Sequence, residues 1–251
     1  MKRAILAGNR RIEYTLIQSS RQDVLFQALP EAGLRVYAPK YLRLRDVDEM
    51  VRQRADELLD MQRQTEARLE ADRRAHPVTD GSPILIEGKR CILRLHPGAR
   101  RSGRLEGEEY HLTLPNPDSD PDVRAAIRAT LSTMALKRIR ERLDHYVPRI
   151  GRVPGRVTIR EQKSRWGSCS SKGNLNFNWK LIMAPPQALD YVVIHELCHL
   201  YEFNHSPRFW ALVAGQMPDY EVWKKWLKTH TDRSEERRVG KECRSRWSPY
   251  H

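Results

Sequence analysis

Three histidines, with Glu196 between the first two, are packed into HELCHLYEFNHSPRFW, His195 to Trp210, within the most hydrophobic part of a basic and very polar chain. His195 and His199 are four residues apart, so on a helix both imidazoles share one side and can meet one ion. Glu196 lies between them, completing the HExxH pattern, where its carboxylate can take a proton from a metal-held water rather than bind the metal. His205 follows six residues after His199, and a chain that turns at Asn204 can bring this third imidazole back over the pair. Such a set suits zinc-assisted hydrolysis: neutral imidazole nitrogens hold zinc at about 2.0–2.1 Å and leave one position open for water. The same residues could instead be hydrogen-bonded core histidines beside a surface acid. Burying several titratable groups in an apolar helix is, however, costly without a shared partner. Cys198 also falls in the motif, but the helical wheel turns it away from the histidines and it reads as a small buried apolar residue.

The elements around this set follow from periodicity. A helix opening at Pro185 and Pro186 and running to about Phe203 carries Leu189, Val193, Leu197 and Leu200 as an apolar stripe opposite the histidines. Ser206 followed by Pro207 restarts a helix in cap-then-proline order. Upstream, Leu175, Phe177, Trp179 and Leu181 alternate with Asn174, Asn176, Asn178 and Lys180, which predicts a strand with one apolar and one polar face. GRVTIREQ predicts another strand. A packed helix begins at the acidic cap near Pro121 and carries Val123, Ile127, Leu131, Met134, Leu136 and Ile139 at helical spacing.

The N-terminal half reads as two β-rich blocks around one long helix. IEYTLI, DVLFQAL and LRVYAP form a small antiparallel sheet or hairpin, with PEAG as the last turn. Asp46 to about Arg74 reads as a single exposed helix with a thin stripe of Val47, Met50, Val51, Leu58, Leu59 and Leu69. ILIEGKRCILRLHP and EEYHLTLPNP supply the second β block, ending near Asn116. No internal repeat is visible. The expected fold class is α+β, with residues 1–118 as a β-rich region containing one long helix and 119–232 as the catalytic region.

Together, RWGSC (Arg165 to Cys169), NLNFNWKLIMAPP (Asn174 to Pro186), VIHELCHL (Val193 to Leu200) and NHSPRFW (Asn204 to Trp210) resemble the YgjP-like metallopeptidases. These belong to the zincin superfamily and are related in motif to SprT-like and WLM proteases. The resemblance spans about Arg11 to Thr231 and implies a zincin-like fold. It also implies His195, His199 and His205 as zinc ligands, Glu196 as catalytic acid/base, and a protein or peptide substrate. In such enzymes a sheet edge runs beside the active-site helix and can pair with the peptide backbone. Asn174, Asn176 and Asn178 would then line the cleft, unless that hairpin is purely structural. Arg165 and Lys180 are both candidates to steady an oxyanion.

The last nineteen residues, Arg233 to His251, lack hydrophobic periodicity, and Arg-Ser-Glu-Glu at their start is what a common sequencing adapter encodes. They are set apart as a library artefact. Five Arg and one Lys leave with three Glu, which lowers the net charge from +13 to +10. The remaining excess is spread along the chain, which favours a solvated surface over a nucleic-acid site. Cys91, Cys169 and Cys198 then remain, unpaired in spacing, as in a reducing compartment. No run is long enough for a membrane span, so the expectation is a soluble cytoplasmic zinc metallopeptidase. Other classes stay open: a zinc hydrolase of another amide or ester, or a DNA-associated SprT-like protease with a basic N-terminal half. A partner module with structural zinc is disfavoured, because a structural site needs no general base at Glu196.

Overall fold

The computed structural model describes residues 1–29, 33–161 and 165–231. The expected turn at Pro30 to Ala32 and the set-apart tail lie outside these residues. The fold is α+β, in two compact units that divide at His76/Pro77.

The first unit contains β1 (Lys2–Ala7), β2 (Arg10–Ser19), β3 (Leu25–Leu29), β4 (Gly33–Pro39), α1 (Leu44–Gln53) and α2 (Ala55–Ala75). Its strands lie in the order β1-β2-β4-β3, and β2 runs parallel to β4. The sheet is therefore mixed, not antiparallel. It includes a strand unread in the sequence, since charged Lys2 and Arg3 mask the inward alternation of Ile5 and Ala7. The single long helix is also corrected: the chain leaves helical geometry at Arg54 (φ −103°, ψ 20°), whose guanidinium lies over the Phe26 ring. Val47, Val51, Ala55 and Leu58 all remain in one core with the sheet, so this helical segment is less exposed than its thin stripe suggests.

The second unit repeats that strand arrangement. β5 (Pro83–Ile86), β6 (Lys89–Pro97), β7 (Ser102–Glu106) and β8 (Glu109–Leu114) lie in the order β5-β6-β8-β7, again antiparallel, parallel, antiparallel. The repeat is one of topology, and no sequence self-similarity announces it. Helix α3 (Asp120–Ile150) follows, capped by Ser119, which accepts from the Asp122 amide, and ended by Gly151 at φ 77°. Val123, Ala126, Ile127, Leu131 and Ala135 of α3 are buried with β5–β8, whereas Ile139, Leu143 and Tyr146 enter a different core farther along the chain. One helix thus supports both layers.

That second core holds β9 (Val157–Arg160), β10 (Gly167–Cys169), β11 (Leu175–Asn178), α4 (Pro186–Cys198), α5 (Pro207–Gln216) and α6 (Tyr220–Thr231). The small sheet is ordered β10-β11-β9, which leaves β10 at an edge. The alternation predicting a strand through Leu181 stops early. Asn178 caps a 3-10 turn over Trp179–Met183 by accepting from the Lys180 amide, and Trp179, Leu181 and Ile182 are buried there. Likewise α4 stops at Cys198 rather than near Phe203, because the Leu200 and Tyr201 amides bond back three residues, to Leu197 and Cys198.

Two contacts fix where α4 starts and lies. The β5–β6 hairpin tip, with Glu87 at φ 50°, donates its amides to the carbonyls of Ile182 and Met183. A Cβ on Gly88 would come within 3.0 Å of the Pro185 Cα, so glycine allows this docking. Further along, Arg142 of α3 grips Asp190 of α4 through two bonds (2.6 and 2.9 Å), and the Tyr146 hydroxyl adds a third at 3.2 Å. Among the described residues no helix is long and apolar enough to cross a membrane. We expect Asp190→Ala to cost about 2 kcal/mol, the range for a lost charge-assisted bond, seen as a Tm fall of about 4–8 °C for a chain this size. An unchanged Tm would show that this clamp does not hold α4.

Candidate metal centre

Helix α4 is apolar on almost every side because α3, β10, α5 and α6 all pack against it. Its one polar stripe carries His195 and His199, one turn apart. Their Nε2 atoms lie 3.1 Å from each other, and the His205 Nε2 lies 3.1 Å from that of His195. The three nitrogens all fall within 4.8 Å of one another. His205 reaches this point because the chain turns after Cys198 and restarts at Ser206, whose hydroxyl accepts from the Phe209 amide.

Two of the imidazoles have a polar neighbour at Nδ1. The carbonyl of Glu202 accepts from the His199 Nδ1–H at 3.0 Å, which places the lone pair on Nε2, toward the other two histidines. The Tyr191 hydroxyl lies 3.4 Å from Nδ1 of His195. Beneath all three, the Phe209 ring sits 4.6–4.9 Å from each imidazole centroid, and Trp210 stacks on His205 at 5.5 Å. Burial, helped by the charges of His199 and His205, holds His195 down at about pKa 3, and burial also lowers His199. Neutral imidazole is the form that donates to a metal.

Glu196 follows His195 on the same turn and lines a cleft with it. It is 4 % exposed, and its Oε2 is buried without a hydrogen-bond partner among the described residues. Burial pushes its carboxyl up to about 8, opposed by the charge of Arg165. It can lie there because position 167 is glycine. A Cβ on Gly167 would sit 2.6 Å from Oε1 and 2.8 Å from Cγ of Glu196, closer than real contacts allow. The residues fit a metal: three convergent imidazole nitrogens accompany a buried carboxylate with an atom to spare among the described residues. Cys198 is buried elsewhere, its thiol pushed up to about 12 by desolvation, and it takes no part in the histidine cluster.

The other sequence candidates are placed differently. Asn174 accepts from the Arg156 amide at 2.8 Å, and Asn176 accepts from the Thr158 hydroxyl at 2.5 Å. Asn178 is buried and donates to the Arg165 carbonyl at 3.4 Å. These amides hold β9, β11 and the approach to β10 together. Lys180 lies over the Trp179 ring and 4.0 Å from Glu161, whereas the charge of Arg165 reaches Glu196. A cleft of about 250 Å³ opens beside His195 and Glu196, between Trp166 and Gly167 on one side and Lys224, Leu227 and Lys228 of α6 on the other. Sequence reasoning missed Gly167, Phe209 and Tyr191. Tyr191 could have been found, since it precedes His195 by four and so shares its helix face.

No curated protein matches this chain. Among solved structures, the metallopeptidase zymogen of Pyrococcus abyssi abylysin matches with 24% identity and a TM-score of 0.35, covering 37% of this chain and 93% of that one. The family described as YgjP-like, metallopeptidase domain, matches residues 24–230, a span holding all three histidines, Glu196 and Gly167. The chain belongs to the YgjP-like metallopeptidase family.

Proposed function

We propose that this protein is a zinc-dependent peptidase of zincin type that hydrolyses peptide bonds with Glu196 as general base. The observation that carries the reading is the buried, unpartnered oxygen of Glu196 beside three convergent imidazole nitrogens. A tri-histidine set with no sulfur ligand is the donor set of an open zinc site. When bound, zinc supplies a Lewis acid for the scissile carbonyl and brings the pKa of water to about 7.

The chain's own residues do the rest. His195, His199 and His205 hold the ion, and the Glu202 carbonyl keeps His199 in the donating tautomer. Glu196 takes the proton of the attacking water at Oε2 and delivers it to the departing amine. Its raised pKa matches a group that must both accept and give a proton near neutrality. The peptide backbone pairs with the open side of β10, along Trp166 and Gly167, so that the scissile bond crosses the cleft next to His195. Arg165, which enters β10 and whose field reaches Glu196, steadies the negative oxygen that develops. Asn176 and Asn178 support that strand from behind.

Glu196→Gln should keep one zinc per chain and lose hydrolysis by at least about 10²-fold, whereas His199→Ala should lose the metal. Metal analysis paired with a peptide-cleavage assay checks both, and full activity in Glu196→Gln would refute the assignment. Gly167→Ala should retain zinc yet lower kcat by at least about tenfold, because the new methyl displaces the Glu196 carboxyl; a shift of even 1 Å can cost that much. Unaltered kcat in that variant would show that the position of Glu196 is not set by β10.

A further inference from the structure

The described lysines of the cleft beside the metal centre stand on one wall. Among its described lining residues Glu196 is the only carboxylate, and that group is occupied with the proton. The facing wall is α6, where Lys224 and Lys228 stand one turn apart on the same face with buried Leu227 between them. The Lys224 ammonium lies 3.9 Å from the centroid of Trp210, whose ring stacks on His205. A cation held on an aromatic face in this way is oriented as well as attracted. Its position is thus one ring away from the third metal ligand. Its ion-pair partner, Glu221 at 3.1 Å, is 64% exposed, and an exposed pair of that kind holds a lysine weakly. Lys228 is exposed and makes no ion pair among the described residues.

A peptide entering the cleft therefore meets two ammonium groups, and among the described lining residues the only carboxyl group is that of Glu196. We propose that α6 forms a carboxylate-selecting subsite, in which Lys224 and Lys228 bind an acidic side chain or a free C-terminal carboxylate next to the scissile bond. This rests on the peptidase reading only in assigning the cleft to the substrate. Desolvation at the Leu227 floor strengthens the attraction relative to open water, and the same charges disfavour peptides with Lys or Arg at that position.

The test uses the full chain loaded with zinc and matched peptides of one sequence. Glu, Gln or Lys is placed in turn at each position flanking the scissile bond, and each peptide carries a free or an amidated C-terminus. Fluorescence anisotropy with the Glu196→Gln protein reads binding without turnover, and kcat/KM of the unaltered protein reads cleavage. The carboxylate-bearing peptide should bind on the order of tenfold more tightly than its Lys counterpart, with the gap closing at about 0.5 M NaCl. Lys228→Met should remove the gap and Lys228→Glu should reverse it, with zinc content unaltered. A preference that survives amidation assigns the subsite to an acidic side chain; one lost on amidation assigns it to the C-terminus. Equal binding of the Glu, Gln and Lys peptides, or an unchanged order in Lys228→Glu, overturns the proposal. Preferential binding without cleavage would refute hydrolysis and leave the subsite standing, and cleavage without preference would do the reverse.

Discussion

Two imidazoles and a carboxyl group are withdrawn from water on the most apolar of the described helices, an exposed third imidazole converges on them, and the surrounding structure answers to that cost. An ionised carboxylate or imidazolium in such a place is expensive unless it is neutralised, paired or bound to a metal. Burial keeps His195 and His199 neutral, and it lifts the carboxyl of Glu196 toward neutrality. Two of the nitrogen pairs approach to 3.1 Å, and one carboxylate oxygen has no hydrogen-bond partner among the described residues. A shared cation resolves both features together, as family membership among metallopeptidases implies.

Much of the second unit serves to hold α4 in register with its neighbours. The β5–β6 hairpin docks on the 3-10 turn where α4 is about to begin, and the Arg142–Asp190–Tyr146 clamp ties its middle to α3. Gly167 brings the edge of β10 against Glu196 without a side chain intervening. Phe209, buried at the first turn of α5, gives the three imidazoles a common floor. The basic balance of the chain has a separate explanation. Many arginines, among them Arg3, Arg52, Arg94 and Arg138, are paired with carboxylates, which describes a solvated surface better than a nucleic-acid track.

The histidine spacing was legible because helical period and side-chain chemistry coincide at His195 and His199, and because Ser206-Pro207 marks a restart just beyond His205. Most helices and several strands were legible for the same reason. What was hidden depended on contacts distant in sequence. Parallel pairing of β2 with β4 leaves no local signature, and the apolar alternation continues past Asn178 although its side chain ends the strand. The asparagine row looked like a free polar face, yet its amides are engaged by Arg156, Thr158 and Arg165. The approach of Gly167 to Glu196 joins residues on two elements, and nothing in either motif alone announces it.

X-ray absorption at the zinc edge of the purified, zinc-loaded chain tests the metal centre most directly. Three imidazole nitrogens and one oxygen at about 2.0–2.1 Å, with no sulfur scatterer, are the predicted first coordination sphere. A sulfur at about 2.3 Å, or loss of the imidazole signal only when residues other than His195, His199 and His205 are replaced, would contradict it.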